Sequence, residues 1–259
     1  MKKRSSLKIF LDVQNALILR ELNMRFSSGQ MGLFWTFFEP FFQIIIFVLI
    51  KVLIFGRSSN DFDFAVFLAL NFIAFNMFKN IAMKSSSAFK ANKALFVYKQ
   101  VKPIDTIISR TIIEVFITSI IIVIFLSIGF YFGFDIKIKD LTMVSLAFLF
   151  LLFFSFSFAI FLAVLNVFVE SIGKIIGFMM TGLMFASAIF YTIDMLPTSL
   201  QEVLLYNPLI HFMEMIHGFY FFALDDRFVS YSYMLLWSFS LLYVGLWLYI
   251  KLEKKIVSL

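Results

Sequence analysis

The stretch LTMVSLAFLFLLFFSFSFAIFLAVLNVFV, residues 141–169, decides the class of fold, because none of its side chains carries a charge. At 1.5 Å per residue, a helix of this length can cross the roughly 30 Å hydrocarbon core of a bilayer. Apolar runs recur along the whole chain, which has 259 residues, is 62% hydrophobic and is only 15% charged. The composition therefore predicts a membrane protein with several spanning helices.

Six segments are long and apolar enough to span a membrane. They are about 33–55, 62–83, 107–133, 141–169, 172–193 and 230–250. A further apolar stretch, 195–224, is interrupted by Pro197 and by Asn207-Pro208, so each remaining piece is too short to cross. We expect this stretch to form a pair of short re-entrant or interfacial helices. The predicted fold class is an all-α polytopic membrane protein with six transmembrane helices.

The distribution of basic residues predicts the orientation of these spans. The N-terminal arm, the connection 84–110 with Lys79 just before it, the turn 170–174 and the C-terminus hold 17 of the 22 Lys and Arg residues. The segments on the opposite side hold only five. Because cytoplasmic loops are enriched in Lys and Arg, we expect both termini in the cytoplasm.

The N-terminal arm is expected to remain on the mature protein. Asp12 and Gln14 interrupt the apolar stretch that a cleaved signal peptide would need. Residues 7–26 predict a basic, partly amphipathic helix lying flat at the cytoplasmic interface, with an ordinary juxtamembrane helix as the alternative. We therefore divide the chain into a cytoplasmic arm, 1–32, and a single transmembrane domain, 33–259.

Glu39-Pro40 is the unusual feature of the first span. A helix that started at Pro40 would be too short to cross, so the pair must lie within the first turns of a helix that starts near Leu33. A charged side chain within a membrane is costly. Either Glu39 lies shallow and reaches toward the lipid headgroups, or it faces a hydrated path inside the protein. The residues alone leave both interpretations open.

The remaining polar motifs do not predict catalysis. SSGQ, residues 27–30, matches part of an ATPase signature, but the chain has no phosphate-binding GxxxxGK[ST] loop. His211, Glu214 and His217 fan over one helix face, which predicts a polar stripe at the outer interface that could bond a cargo rather than a metal site. The chain has no cysteine, so it can form neither a disulfide nor a thiolate metal site. We expect no catalytic residue, metal, bound cofactor or nucleic acid.

Two helix-spacing patterns predict packing contacts. Arg110 and Glu114 are four residues apart, which predicts an ion pair within one helix. Gly173 and Gly177, with Gly182 and Ala186 at the same spacing, are typical of a helix that packs closely against another helix or subunit. Separately, the connection 84–105 is strongly basic, and either docks a soluble partner or lies against anionic lipids.

Three segments, taken together, resemble a known family. The segment REL..RF..GQMG.FW...EPFFQ (residues 20–43) resembles the entry motif of permeases from polysaccharide-exporting ABC transporters. NKALFVYKQVKPIDTIISRTIIE (residues 92–114) resembles their segment between the second and third spans. LPTSLQEVLLYNPLIHFMEMIHGFYF (residues 196–221, with the following Phe222) resembles their outer re-entrant pair. The short chain is most similar to the capsular polysaccharide exporters of Gram-negative bacteria.

The resemblance implies a homodimer in the bacterial inner membrane, bound to two ABC ATPase subunits that use ATP and Mg. The expected cargo is a lipid-linked polysaccharide, delivered to periplasmic and outer-membrane export proteins. Residues 84–103 would hold the coupling helix that contacts the ATPase, and residues 195–224 would shape the exit. The first and fifth spans would line the channel, and aromatic side chains would stack on sugar rings.

The resemblance also implies roles for individual residues. Expected in the substrate path are Phe34, Trp35, Phe38, Glu39, Phe42, Phe185, Tyr191 and Trp237. Expected to couple to the ATPase are Lys90, Asn92, Lys93, Phe96, Tyr98 and Lys99. Expected in the outer re-entrant helices are Tyr206, Asn207, Pro208, His211, Glu214 and His217.

Three other functions remain open at this point. The first is an ABC-2 permease for another cargo, such as O-antigen, teichoic acid, a lipid or a drug. The second is a membrane-embedded transferase, for which His211, Glu214 and His217 would be the only candidate catalytic groups. The third is a membrane scaffold without cargo.

Overall fold

The computed structural model describes residues 5–27, 30–55, 63–169 and 172–257, and within these ranges the chain is helical, without strands. The helices, in chain order, are α1 (Ser6–Ser27), α2 (Gln30–Phe55), α3 (Phe64–Ser86), α4 (Ala88–Asn92), α5 (Pro103–Phe132), α6 (Leu141–Phe168), α7 (Ile172–Ala186), α8 (Thr198–Leu204), α9 (Pro208–Tyr220) and α10 (Tyr231–Val257). Short 3₁₀ turns cover Lys93–Val97 and Ile193–Met195.

Within the described ranges, four helices are long and apolar enough to cross a membrane: α3, α5, α6 and α10. They correspond to four of the six predicted spans. The prediction of an all-helical chain with several helices of membrane-spanning length is therefore confirmed. The first predicted span falls on α2, which has 26 residues. The fifth, predicted as 172–193, is helical only as far as Ala186, and Ala188 follows with a φ of 56°. Helix α7 is therefore about 22 Å long, shorter than the hydrocarbon core.

Local sequence explains where several helices begin and end. Asp63 and Asp140 accept hydrogen bonds from the first-turn amides of α3 and α6, as side chains at an N-cap do. Asn207 caps α9, and Pro208 occupies the first helical position, where its missing N–H costs nothing. Gly133 ends α5 in the left-handed conformation that glycine tolerates best.

Helix α3 lies at the centre of the bundle and contacts α2, α5, α6, α7 and α9. Phe67, Phe72, Phe75 and Phe78 of α3 are fully buried. Helix α6 packs against α3 on one side and against α9 and α10 on others, so that α3 and α6 carry most of the core. Helix α1 packs across α5 and α2. A helix over the predicted interfacial segment 7–26 is thus confirmed.

Candidate substrate path and coupling region

An aromatic surface runs along one face of α2. Phe34, Phe38 and Phe42 follow each other at four-residue spacing, so they lie on one side of the helix. The ring centroids of Phe34 and Phe38 are 4.7 Å apart and those of Phe38 and Phe42 are 5.7 Å apart. Trp35 meets the first two rings edge-on, at 6.1 and 6.3 Å. We call these four residues the aromatic ladder; all four are exposed in this chain.

Glu39 lies beside the aromatic ladder and has partners on α2 and α3. Its carboxylate is 3.6 Å from the Lys79 ammonium and accepts a 3.4 Å hydrogen bond from Gln43. The Gln43 carbonyl oxygen in turn accepts from the Asn76 amide at 3.1 Å. The carboxylate remains 58% exposed. A partly exposed carboxylate with a nearby cation is suited to hydrogen-bonding a hydroxylated ligand.

A cavity of about 240 Å³ lies between α2, α3 and α5, next to the aromatic ladder. We call it the polar pocket, because both polar and apolar side chains form its wall. Its polar lining residues are Trp35, Glu39, Asn76, Asn80, Lys84 and Thr118. Lys79 pairs with Glu39 close by. The polar pocket thus brings two of the predicted path residues, Trp35 and Glu39, together with four that the sequence did not single out.

The other predicted path residues lie elsewhere. Phe185, at the end of α7, is exposed and stacks on Phe190 at 5.4 Å, and Phe190 is 4.6 Å from Phe47 of α2. The Tyr191 hydroxyl donates to the Phe185 carbonyl at 3.1 Å. These rings therefore adjoin α2. Among the described residues, the ring contact of Trp237 is with Tyr233 of its own helix, so Trp237 lies apart from the aromatic ladder.

An ion cluster joins α1, α3 and α5, and it corrects the predicted pair of Arg110 with Glu114. The Glu114 carboxylate is 1% exposed; it accepts from Arg25 of α1 at 2.5 Å and from Lys84 of α3 at 2.8 Å. Arg110 instead lies with its Nε atom 3.4 Å from the Glu21 carboxylate. The side chains of Arg110 and Glu114, both on α5, face neighbouring helices, and those helices supply their counter-ions. We call these five residues the ion cluster.

Arg110 also connects the ion cluster to the segment that follows α3. Its guanidinium donates to the Lys84 carbonyl oxygen and lies 3.4 Å from the Ser87 hydroxyl. Ser87 is the residue between α3 and α4. One side chain therefore contacts both α1, through Glu21, and the start of the segment predicted to couple to an ATPase.

The predicted coupling segment, 84–103, contains α4 and the 3₁₀ turn Lys93–Val97. Two of its predicted contact residues are buried: Asn92 bonds the Ala88 carbonyl, and Phe96 packs in the core. Tyr98 is 65% exposed, and the neighbouring Val97, which the sequence did not single out, is 82% exposed. Lys93 and Lys99 are exposed and Lys90 is half-buried. The segment thus presents an apolar tip with flanking lysines.

Helix α9 corrects the prediction of a polar stripe facing an interface, because His211, Glu214 and His217 are all buried. The two ring nitrogens of His217 lie 2.7 Å from the Asn71 amide oxygen and 3.2 Å from the Glu214 carboxylate. Glu214 also accepts from the backbone N–H of Ile193 at 3.3 Å. The sequence did not single out Asn71, because it is one of three asparagines in the predicted span 62–83 and no pattern distinguishes it from the others.

The rest of the predicted outer helix pair is held by hydrogen bonds to neighbouring segments of the chain. The ring nitrogens of His211 each lie 3.0 Å from a backbone carbonyl, of Leu205 and of Phe228. The Asn207 amide donates to the Ala186 carbonyl at 2.9 Å, which ties the turn between α8 and α9 to the end of α7. Tyr206 is 78% exposed, and its carbonyl accepts from the Tyr233 hydroxyl.

Comparison with known proteins assigns the chain to a class of transport protein. The profile of the ABC-2 type transporter family matches residues 14–221, so the chain belongs to the ABC-2 type transporter family. This range includes the aromatic ladder, the polar pocket, the ion cluster and the α8–α9 pair. A chain of this class is a membrane subunit for transport rather than an enzyme.

Relatives match along almost the whole chain. The polysialic acid transport protein KpsM of Escherichia coli is 28% identical over 256 residues, covering 98% of this chain and 99% of that protein. The capsule polysaccharide export inner-membrane protein BexB of Haemophilus influenzae is 25% identical, covering 94% of this chain and 92% of that protein. The corresponding protein CtrC of Neisseria meningitidis serogroup B is 25% identical over 96% of this chain and 94% of its own length.

Proposed function

We propose that this chain is the membrane-channel subunit of an ATP-driven exporter, which moves a lipid-linked capsular polysaccharide across the bacterial inner membrane. Full-length similarity to capsule polysaccharide export inner-membrane proteins supports the cargo and the location. The observation that carries the proposal to particular residues is the aromatic ladder, since exposed flat rings beside a carboxylate suit a sugar polymer. An O-antigen, teichoic acid, lipid or drug as cargo is an outcome that the test below distinguishes.

We propose a topology of six spans with both termini in the cytoplasm. Helices α2, α3, α5, α6 and α10 cross the membrane, and α7 together with the following segment to about residue 193 forms the fifth crossing. Helix α1 lies at the cytoplasmic interface, and α8 with α9 forms a re-entrant pair at the outer side. The lysines and arginines at both termini and in 84–110 support this orientation.

The chain works as a homodimer in this proposal, with α2 and α7 beside the channel. Gly173, Gly177 and Gly182 on α7 support it, because a Cβ atom added at any of them meets nothing within 4 Å in the described part of one chain. Small residues that leave a helix face open allow a second helix to approach closely. The exposed Phe178 between them, at 83%, gives that helix an apolar surface to cover.

ATP hydrolysis is supplied by two separate ATPase subunits, which bind ATP and Mg; this chain binds no cofactor of its own. We place the contact at the tip of the coupling segment, where Val97 and Tyr98 are exposed between lysines. Movement of this tip reaches α3 and α1 through Arg110, which bonds the Lys84 carbonyl and faces Glu21. The polymer then advances along the channel and leaves toward periplasmic and outer-membrane export proteins, past α8 and α9.

The candidate catalytic histidines of the alternative function, a membrane-embedded transferase, are unsuited to catalysis. His211 and His217 are buried, and each of their ring nitrogens has an oxygen of the same chain within 3.2 Å. A side chain bonded in this way is not free to accept a proton from a substrate.

Deleting the chain in the producing strain tests the proposal. We expect completed polysaccharide to accumulate inside the cell and to disappear from the surface, with both effects reversed by the wild-type chain. Complementation with Glu39→Gln should restore little surface polysaccharide at a normal protein level, whereas Asp135→Asn, at an exposed position of the loop after α5, should restore it fully. Normal surface polysaccharide in the deletion strain, or loss of a different surface polymer, would contradict the assignment of cargo.

A further inference from the structure

We propose that three buried polar residues position part of the channel wall for export: Asn71 of α3, and Glu214 and His217 of α9. Their hydrogen bonds hold the segment 187–193 in one place, and we call this segment the outer turn. It runs from the end of α7 to the start of the 3₁₀ turn Ile193–Met195. The inference rests on the proposed function, because it takes α2 and α7 to lie beside the channel.

The outer turn is bonded at two points by one network. The Asn71 amide nitrogen donates to the Ile189 carbonyl at 3.0 Å, and the Glu214 carboxylate accepts from the Ile193 backbone N–H at 3.3 Å. His217 closes the network, with one ring nitrogen 2.7 Å from the Asn71 oxygen and the other 3.2 Å from Glu214. All five residues are buried. The outer turn is therefore fixed to α3 and to α9 at the same time.

The outer turn depends on these partners because it is not helical. Helix α7 ends at Ala186, and Ala188 has a φ of 56°. Backbone groups beyond the end of a helix lose their helical partners, and lipid offers no replacement. Asn71 and Glu214 bond two of these groups, and Asn207 bonds the Ala186 carbonyl. Side chains of α3 and α9 thus provide what a continued helix would have provided through its own backbone.

The hydrogen-bond roles in the network place one proton between His217 and Glu214. A carbonyl oxygen only accepts, so the amide nitrogen of Asn71 faces Ile189 and its oxygen faces His217. That oxygen also only accepts, so the ring nitrogen beside it carries a hydrogen. The second ring nitrogen and the carboxylate would repel each other without a proton between them. The same Glu214 oxygen also accepts from Ile193, so an amide at position 214 could satisfy only one of these two partners.

The bonded turn places aromatic rings against α2. Phe190 directly follows Ile189, and its ring lies 4.6 Å from Phe47 of α2 and 5.6 Å from Phe72 of α3. Phe185, which is exposed, stacks on Phe190 at 5.4 Å. In the proposed topology these rings lie in the outer half of the membrane, and the aromatic ladder lies in the cytoplasmic half. The network therefore fixes the aromatic surface that a polymer would meet after the aromatic ladder.

Thiol labelling measures whether the network holds the outer turn. The chain has no cysteine, so Thr192→Cys, at a position that is 2% exposed, introduces a single thiol within the turn. We use the complete transporter in lipid nanodiscs and a water-soluble maleimide. Loss of a bond leaves buried groups without a partner and raises the fraction of time that the turn is open. We expect labelling to be slow in this background and at least about tenfold faster when Asn71→Ala or Glu214→Gln is added.

The matched control is Asn166→Ala on α6. Asn166 is also buried, and its amide donates to the Ser86 carbonyl at 2.7 Å, so this variant loses a bond of the same kind away from the outer turn. We expect its labelling rate to stay within about twofold of the background. Equal rates for Asn71→Ala and Asn166→Ala would overturn the proposal. Labelling requires no cargo, so this result does not depend on which polymer is exported.

A tether on the outer surface tests whether export requires the position of the turn. Asp194 and Arg227 are ion-paired and partly exposed, so Asp194→Cys and Arg227→Cys can be joined by a short bifunctional thiol reagent. We expect Asn71→Ala to lower surface polysaccharide at least about fivefold at an unchanged membrane level, and the tether to restore about half of the export or more. The tether alone should leave export unchanged.

Two results of the tether experiment would overturn the proposal. Failure of the tether to restore export in Asn71→Ala would show that position is not what the variant loses. Loss of export on tethering the otherwise native chain would show that the outer turn must move. If Asn71→Ala does not reach the membrane, Glu214→Gln, which keeps the size of the side chain, takes its place in both experiments. Dependence of surface polysaccharide on the chain itself would stand in either case.

Discussion

The ion cluster provides the prediction whose magnitude follows most directly from the structure. Replacing Glu114 with glutamine removes a negative charge that is 1% exposed and is bonded by Arg25 and Lys84. Removing one partner of a buried ion pair costs about 3–5 kcal/mol, because the other charge remains in a poorly solvated place. The two cations are 17% and 36% exposed, so water screens them in part. We therefore expect a loss of about 2–3 kcal/mol in the free energy of unfolding.

Thermal unfolding of the purified transporter in lipid nanodiscs measures this loss. A change of 1 kcal/mol shifts the midpoint temperature of a chain of this size by about 2–4 °C, so Glu114→Gln should lower it by about 4–12 °C. The matched control, Glu202→Gln, changes an exposed carboxylate on α8 and should leave the midpoint almost unchanged. A midpoint for Glu114→Gln equal to that of the control would refute the reasoning that α1, α3 and α5 are held together by this carboxylate.

Three further variants test other parts of the account. In Gly218→Ala the new Cβ would lie 2.7 Å from the Asp225 backbone, so we expect a loss of about 1–3 kcal/mol in thermal unfolding, whereas the control Glu202→Gln should leave the midpoint almost unchanged. Equal midpoints for these two variants would show that the Asp225 backbone does not pack against Gly218 of α9. His217→Ala leaves buried polar partners without a hydrogen bond and should cost about 1–3 kcal/mol by the same measurement, and a neutral effect would contradict the network on α9. Tyr98→Ala should reduce co-purification of the ATPase subunit without lowering the membrane level of this chain, and full recovery of the ATPase would place the contact elsewhere.

Hydrophobicity predicted the positions of the long helices well, because long apolar runs have few alternatives to a helix in a membrane. The structure places helices on all six predicted segments, although it ends α7 at Ala186 and starts α5 at Pro103. The break of the outer pair at Asn207-Pro208 was also predictable, since a cap residue followed by proline starts a helix wherever it occurs. The turn after Ala186 was not, because it depends on hydrogen bonds from Asn207 and Asn71 that come from distant parts of the chain.

Pairing of polar groups was the part that sequence spacing predicted wrongly. Arg110 and Glu114 have the spacing of an intrahelical ion pair. Each of them instead pairs with oppositely charged side chains of neighbouring helices, Glu114 with residues of α1 and α3 and Arg110 with a residue of α1. The α9 residues His211 and His217 have the spacing of an exposed stripe, but α9 is buried against the bundle, where Asn71 and backbone carbonyls lie next to their ring nitrogens. Spacing along one helix identifies neighbours on that helix only. Partners from other helices need the fold.

Reconstitution tests the central claim, that this chain forms the membrane path for a lipid-linked polysaccharide and draws its power from a separate ATPase. Purified chain and ATPase subunit are placed in vesicles, and labelled lipid-linked polysaccharide is supplied on the side that holds the ATPase. We expect the label to become protected from an added glycan-degrading enzyme only when both proteins and ATP are present, and Trp35→Ala to slow this protection. Protection by the chain without the ATPase, or none with both proteins and ATP, would contradict the account.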